Sequence, residues 1–255
     1  MSDMPARVTI KEVGPREGFQ FEKGPITLEQ KFGLVDALSD TGLRTIEFTS
    51  FVSPKWVPQM ADAEEMVAGI TRAPGVAYEA IWLNEAGLAR AAALRESLAL
   101  RPMFGVAASD EFMRKNTNRT VDEKIAELPG WAARYQALGM DWIDASVMAA
   151  FGCNYEGDVP TERVVSVLEQ VEARAADCGS RLGGVGLGDT MGWANPRQIK
   201  RLVGAVRDRW PEVPVKLHLH DTRALAIANV VAALEMGVDR FDSAVAGMGG
   251  CPFAA

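Results

Sequence analysis

The only two histidines of the chain stand two residues apart, in Leu217-His218-Leu219-His220-Asp221. Side chains two apart on a strand share a face. The two imidazoles therefore project together, while Leu217 and Leu219 face the opposite side. Neutral imidazole is a common ligand for divalent transition metals, so the pair reads as two ligands of one metal ion. Two satisfied core histidines are the competing reading. A second motif, Gly14-Pro15-Arg16-Glu17-Gly18-Phe19-Gln20, follows the first apolar run. Its Pro and Gly read as a tight turn. That turn would offer Glu17 as a hard oxygen ligand and Arg16 as a fixed cationic fork for a carboxylate or an enolate oxygen. A surface ion pair is the alternative.

Three more segments carry chemistry-bearing side chains. In Thr45-Ile46-Glu47-Phe48-Thr49-Ser50, the alternation puts Thr45, Glu47 and Thr49 on one face. An acid on an inward face is costly unless paired, and Glu47 is a suitable partner for Arg16. A wet face near a rim is the other reading. Gly186-Leu187-Gly188-Asp189-Thr190 ends a strand on a carboxylate. Asp189 reads as an aid to the metal site, as a base, or as the N-cap of the next helix. Gly247-Met248-Gly249-Gly250-Cys251-Pro252 is a Gly-rich loop bearing a cysteine. Such a backbone permits close ligand approach and suits a lid over a site; a plain flexible end is the alternative. With no third histidine, a two-His zinc hydrolase is disfavoured. A mixed nitrogen and oxygen donor set favours Mg²⁺ or Mn²⁺.

Something must position these groups. Strand candidates are Val8–Val13, Thr45–Phe51, Tyr78–Leu83, Ala99–Val106, Trp142–Phe151, Val185–Asp189, Val215–His220 and Arg240–Ala246. Helical periodicity marks Thr27–Ser39, with a capping box from Thr27 to Gln30. It also marks Thr120–Leu138, Thr161–Cys178, Pro196–Trp210 and Arg223–Met236. Strands alternating with helices, with no Ser/Pro-rich linker, predict one (β/α)8 TIM barrel over 1–255. An open doubly wound sheet is the runner-up, but no G-x-G-x-x-G follows the first strand. Catalytic groups of a barrel sit at the carboxyl ends of its strands. No helical segment follows the eighth strand candidate before Ala255, so a last helix and C-terminal segment are expected beyond it.

The chain has 255 residues, 48% of them hydrophobic, and a formal net charge of −7. That balance disfavours a nucleic-acid partner, which calls for a basic stripe. No apolar run reaches the roughly 20 residues of a membrane span, and the N-terminal MSDMPARVTIKEV has no signal-like apolar core. Cys153, Cys178 and Cys251 form no paired pattern. A cytoplasmic location is expected.

Taken together, GPREGFQ (14–20), TSFVSPKWVPQMAD (49–62), FGCNYEG (151–157), GLGDTMG (186–192), HLHDTR (218–223) and VAGMGGCPFA (245–254) resemble the hydroxymethylglutaryl-CoA lyase family, over nearly the whole chain. The resemblance implies a metal-dependent barrel lyase cleaving a carbon–carbon bond of a 3-hydroxyacyl-CoA. The expected substrate is 3-hydroxy-3-methylglutaryl-CoA, giving acetyl-CoA and acetoacetate. It implies that Glu17, His218 and His220 hold a divalent cation, Mg²⁺ or Mn²⁺. It implies that Arg16 stabilises an enolate, that Cys251 moves a proton, that Glu47 and Asp189 are active-site acids, and that Gln20 and Ser50 bind substrate. It also implies a further asparagine ligand beyond the GGCPFA segment. The outer faces of a barrel suit a homodimer. Many members carry Asp where Glu17 stands, and one extra methylene moves the carboxylate by about 1.5 Å. That difference keeps a related acyl-CoA such as citramalyl-CoA as an alternative substrate. Some relatives have Gly where Ala224 stands. A condensing synthase is a further rival, disfavoured by the GGCP loop, and a non-catalytic barrel binding protein is the rival of another class.

Overall fold

A computed structural model describes residues 4–22 and 24–250. Two compact units are resolved. The first holds Thr9–Arg101 and Phe241–Gly250, the second Pro102–Arg240 with residues 4–8. Along the first run β1 (Thr9–Glu12), α1 (Gly14–Phe21), α2 (Leu28–Ser39), β2 (Thr45–Ser50), α3 (Ala63–Gly69), β3 (Ala77–Ile81) and α4 (Glu85–Ala93). The second contributes β4 (Met103–Ala107), α5 (Asp110–Thr117), α6 (Val121–Ala126), α7 (Leu128–Ala137), β5 (Trp142–Met148), α8 (Thr161–Asp177), β6 (Arg181–Gly188), α9 (Pro196–Arg209), β7 (Val215–His218) and α10 (Ala226–Glu235). The chain then reaches β8 (Arg240–Ser243).

In the first unit the strands run in the order β3-β2-β1-β8. Lys11 pairs with Thr45, and Glu47 with Glu79, in parallel register. On β2 the apolar Ile46 and Phe48 are fully buried. A cluster of Phe19, Val52 and Met60 packs α1 against the loop after β2, with Ile26, Leu34 and Met248 around it. In the second unit the order is β7-β6-β5-β4, again parallel. Here α8 buries Val164, Val167, Leu168, Val171 and Ala175, and α9 buries Ile199, Leu202, Val203 and Val206. These are the helical stripes that cover a parallel sheet. Each such aliphatic side chain contributes about 1.5–3 kcal/mol on burial.

All eight expected strands are present, most of them shorter than read. Two of the changed ends have a local cause. The strand β4 begins only after Pro102, which has no N–H for the ladder, although its carbonyl accepts from Asp144 N at 2.9 Å. β5 stops at Met148 because Ala149 turns left-handed, at φ +51°. The structure corrects two helix assignments. The Gly14–Gln20 segment is not a turn but the body of α1, with Pro15 in its first turn. There proline's missing N–H costs nothing and its fixed φ suits a helix. Thr120–Leu138 is two helices meeting at Glu127, because Pro129 cannot continue the hydrogen-bond ladder. The capping box of Thr27 with Gln30 forms as read. The helices α3, α4 and α5 were not anticipated; Asn84 and Ser109 cap the last two. Among the described residues, no helix is long and apolar enough to cross a membrane.

Candidate active site

In the first unit, helix rather than turn geometry decides what Arg16 meets. Residues four apart on a helix are neighbours, so Arg16 Nη1 donates to Gln20 Oε1 at 3.3 Å. Arg16 Nε donates to Glu47 Oε1 at 2.7 Å, and Nη2 lies 3.3 Å from Glu17 Oε2. The expected pairing of Glu47 with Arg16 is thus present. Glu47 is 3% exposed and its second oxygen is also taken: Lys11 Nζ donates to Oε2 at 2.5 Å. Burial alone would raise the Glu47 carboxyl above its ordinary range. Lys11 and Arg16 reverse that and hold it at about 2. Burial likewise works against the charge on Arg16, and Glu47 and Glu17 outweigh it, raising the guanidinium pKa further. Arg16 is therefore a permanently charged fork with its orientation set by three side chains.

The Gly-rich loop lies directly on α1. A Cβ added at Gly249 would sit 2.9 Å from Glu17 Cγ, and Gly249 has φ +99°, so both space and backbone demand glycine there. A Cβ at Gly18 would be 2.7 Å from Met248 Cβ. The base of this loop is pinned by Glu12: its Oε1 accepts from Gly14 N at 2.7 Å and Val245 N at 2.8 Å, and its Oε2 from Ser243 Oγ at 2.8 Å. Cys251 itself lies outside the described residues. Ser50 and Thr49 are fully buried, and neither hydroxyl has a hydrogen-bond partner among the described residues. An unpaired buried hydroxyl costs about 1–3 kcal/mol, a cost that a bound polar ligand would remove.

In the second unit, β7 delivers His218 from its last residue and His220 from just beyond it. Their Nε2 atoms lie 3.0 Å apart and the rings are tilted by 55°. Leu217 is fully buried on the other side. The two imidazoles thus converge as the alternation predicts, with both Nε2 atoms at one spot. Asp189 is 1% exposed and follows β6. Its Oδ1 accepts from Trp193 N at 2.7 Å and Ala194 N at 3.0 Å, while Oδ2 has no partner among the described residues. Burial pushes its carboxyl up; the two backbone N–H groups and His220 offset this in part. The N-cap reading of Asp189 is overturned, because Asn195 caps α9 and accepts from Arg197 N and Gln198 N. Asp189 instead braces the loop before that helix. Ala224 adopts φ +57°, a conformation in which glycine would be free of strain.

Lys11, Glu12 and Glu79 were not singled out from the sequence. A signal was present: Lys11, Glu47 and Glu79 each sit in a strand run where alternation directs them to one face. The acid network also makes a prediction. A carboxyl held below its unfolded value stabilises the fold above that value, and the contribution is lost as pH falls through the folded pKa. Glu47 should therefore stabilise fully above pH 4.5 and lose its contribution between 4.5 and about 2. Urea midpoints at pH 5 and pH 3 should fall further in the parent protein than in Glu47→Gln. Equal falls would remove Glu47 as an acid-side stabiliser.

Comparison with known proteins gives consistent matches. The HMGL-like family model matches residues 7–252. The hydroxymethylglutaryl-CoA lyase of Bacillus subtilis is 40% identical over 250 residues, which is 98% of this chain and 80% of that protein. The crystal structure of hydroxymethylglutaryl-CoA lyase from Pseudomonas aeruginosa has a TM-score of 0.88 at 38% identity, covering 99% of this chain and 81% of that one. An HMG-CoA lyase from Acinetobacter baumannii, solved in complex with coenzyme A and 3-methylmalate, has a TM-score of 0.85 at 35% identity, covering 97% and 78%.

Proposed function

The chain belongs to the HMGL-like family, and from that premise we propose that it cleaves 3-hydroxy-3-methylglutaryl-CoA into acetyl-CoA and acetoacetate, using a divalent cation held by Glu17, His218 and His220. It is a carbon–carbon lyase with the barrel fold of that family. The observation that carries the metal reading is the convergence of the two imidazole Nε2 atoms at 3.0 Å. Two imidazoles at one spot, joined by the carboxylate that the family resemblance assigns to Glu17, make a donor set that suits a divalent cation accepting mixed nitrogen and oxygen ligands. Mg²⁺ or Mn²⁺ is the ion we favour. When bound, the cation would supply Lewis acidity, making a substrate hydroxyl easier to deprotonate.

The reaction carries one proton from oxygen to carbon and shifts two electron pairs. The tertiary hydroxyl loses its proton, the adjacent carbon–carbon bond breaks, and its electrons become the thioester enolate. The hydroxyl carbon becomes the ketone of acetoacetate, and the enolate carbon takes back a proton to give acetyl-CoA. Arg16 faces the thioester oxygen, where negative charge develops; its fixed orientation by Glu47 means little reorganisation as that charge appears. Gln20 and Ser50 offer hydrogen bonds to the substrate. Asp189, whose Oδ2 has no partner among the described residues and whose carboxyl is pushed up by burial, is the initial base or supports a group that is. Cys251 returns or shuttles the proton. A cytoplasmic location and a homodimer complete the reading.

A second substrate is favoured by one feature: Glu17 carries its carboxylate on a longer arm than aspartate would. The lyase crystallised with coenzyme A also held 3-methylmalate, a branched hydroxy diacid; citramalyl-CoA, whose methyl sits instead on the hydroxyl-bearing carbon, is the alternative substrate. The test is cleavage of a panel of 3-hydroxyacyl-CoA thioesters, with products identified by mass. We expect acetyl-CoA and acetoacetate from the glutaryl substrate with Mg²⁺ or Mn²⁺ and none after chelation. Faster cleavage of citramalyl-CoA would transfer the assignment. Cleavage of no thioester by metal-loaded protein would leave a non-catalytic binding barrel.

A further inference from the structure

The charges around Glu47 extend beyond the residues assigned to the reaction. Lys11 Nζ reaches Glu47 Oε2 at 2.5 Å and Glu79 Oε2 at 3.3 Å, and Glu79 Oε1 accepts from Arg101 Nε at 3.1 Å. The result is a line of alternating charge, from the half-exposed Arg101 through Glu79, Lys11 and Glu47 to Arg16. Register explains it. β2 and β3 pair Glu47 directly with Glu79, and like charges opposite one another on adjacent strands repel. The next strand, β1, supplies the cation between them, with Lys11 paired to Thr45, two residues before Glu47. Each oxygen of Glu47 therefore has its own cation, Lys11 on one and Arg16 on the other.

We propose that Lys11 is a positioning residue for the reaction: by pinning Oε2 of Glu47, it fixes Oε1 against Arg16 Nε and so sets the direction of the Arg16 guanidinium. The proposal rests on the role given to Arg16 above. Without the Lys11 ammonium, Oε2 of Glu47 has lost its cation while Asp242 still repels the carboxylate, so Arg16 alone must hold Glu47 and the direction of its guanidinium is less tightly set. Burial disfavours the charge on Lys11, but Glu47, Asp242 and Glu79 outweigh it and hold the ammonium above the usual lysine range. Lys11 is thus a fixed cation at working pH.

The test is a mutant cycle with kcat, KM and Mn²⁺ affinity as readouts. Lys11→Met should lower kcat about tenfold, with KM and Mn²⁺ affinity within about twofold of the parent. Glu79→Gln should leave kcat near the parent value, because Lys11 still holds Glu47. The decisive measurement is Lys11→Met in a Glu47→Gln background, where no buried carboxylate is left without a cation, read by single-turnover mass detection. It should add almost no further loss, since Lys11 acts through Glu47. An equal loss in both backgrounds, or unchanged kcat in Lys11→Met, overturns the proposal. If Lys11→Met does not fold, Lys11→Met/Glu79→Gln removes one of the acids facing the ammonium together with it and should show the same tenfold loss; full turnover in that variant also overturns it. Full turnover in Arg16→Gln alone would instead refute the role of Arg16, which separates the two failures.

Discussion

His220→Ala should yield a folded protein that binds Mn²⁺ more than about 100-fold more weakly and turns over slower by at least as much. The folding half of that expectation follows from position. His220 lies past the end of β7 and is only partly buried, so truncating it opens no core cavity of the kind that costs 2–5 kcal/mol. The binding half follows from the Nε2 contact. If His218 and His220 share a cation, each supplies a full coordinate bond, and the remaining imidazole and carboxylate cannot close the site. Were the pair simply a core hydrogen bond, one ring would donate and the other accept, and Mn²⁺ affinity would not change. Titration of Mn²⁺ by spin resonance, beside a thermal midpoint, separates these outcomes. Unchanged affinity would end the metal assignment. His218→Ala is the less clean variant, because His218 belongs to the β7 ladder and its carbonyl accepts from Asp189 N at 2.8 Å.

The strand–helix alternation was legible because the period-2 and period-3.6 patterns are carried by many residues at once. Ile46 and Phe48 against Glu47 and Thr49, or the α8 stripe, survive any single ambiguous position. Failures came where one residue decides. Pro15 after Gly14 reads equally as a turn or as a helix start, and only the α1 backbone distinguishes them. Pro129 falls inside a helical periodicity that it breaks without disturbing the apolar pattern. Of the site, the imidazole pair and the Arg16–Glu47 partnership were legible because residue chemistry and face agreed. Lys11 was not, because a lone cation in a strand is ambiguous until register sets it between two acids that are distant in sequence. The Oδ2 of Asp189, without a partner among the described residues, and the buried hydroxyl of Ser50 are properties of what surrounds them, which no spacing encodes.

Arg16→Gln is expected to lower kcat by about 10²–10³ or more while leaving metal affinity near the parent value. The size follows from where the charge acts. In the ground state the thioester oxygen is neutral, and a guanidinium gains little from it, so KM should change modestly. As the carbon–carbon bond breaks, that oxygen takes on negative charge, and a fixed, mostly buried cation acts on it more strongly than one in open solution. Glutamine at position 16 can still donate a hydrogen bond but carries no charge, and it is too short to span Glu47, Gln20 and Glu17 together. The fold should tolerate the change, because Glu47 keeps Lys11 on its other oxygen at 2.5 Å and is not left as a buried charge without a partner. Arg16→Lys sharpens the result. It restores the charge without the planar fork, so a partial recovery of kcat would assign the remaining deficit to orientation by Glu47. Recovery to the full parent rate would mean that charge alone suffices and that the three-point clamp on Arg16 serves stability rather than turnover. Unchanged turnover in Arg16→Gln would take the residue out of the reaction altogether, and with it the reason for a buried Glu47 at this place.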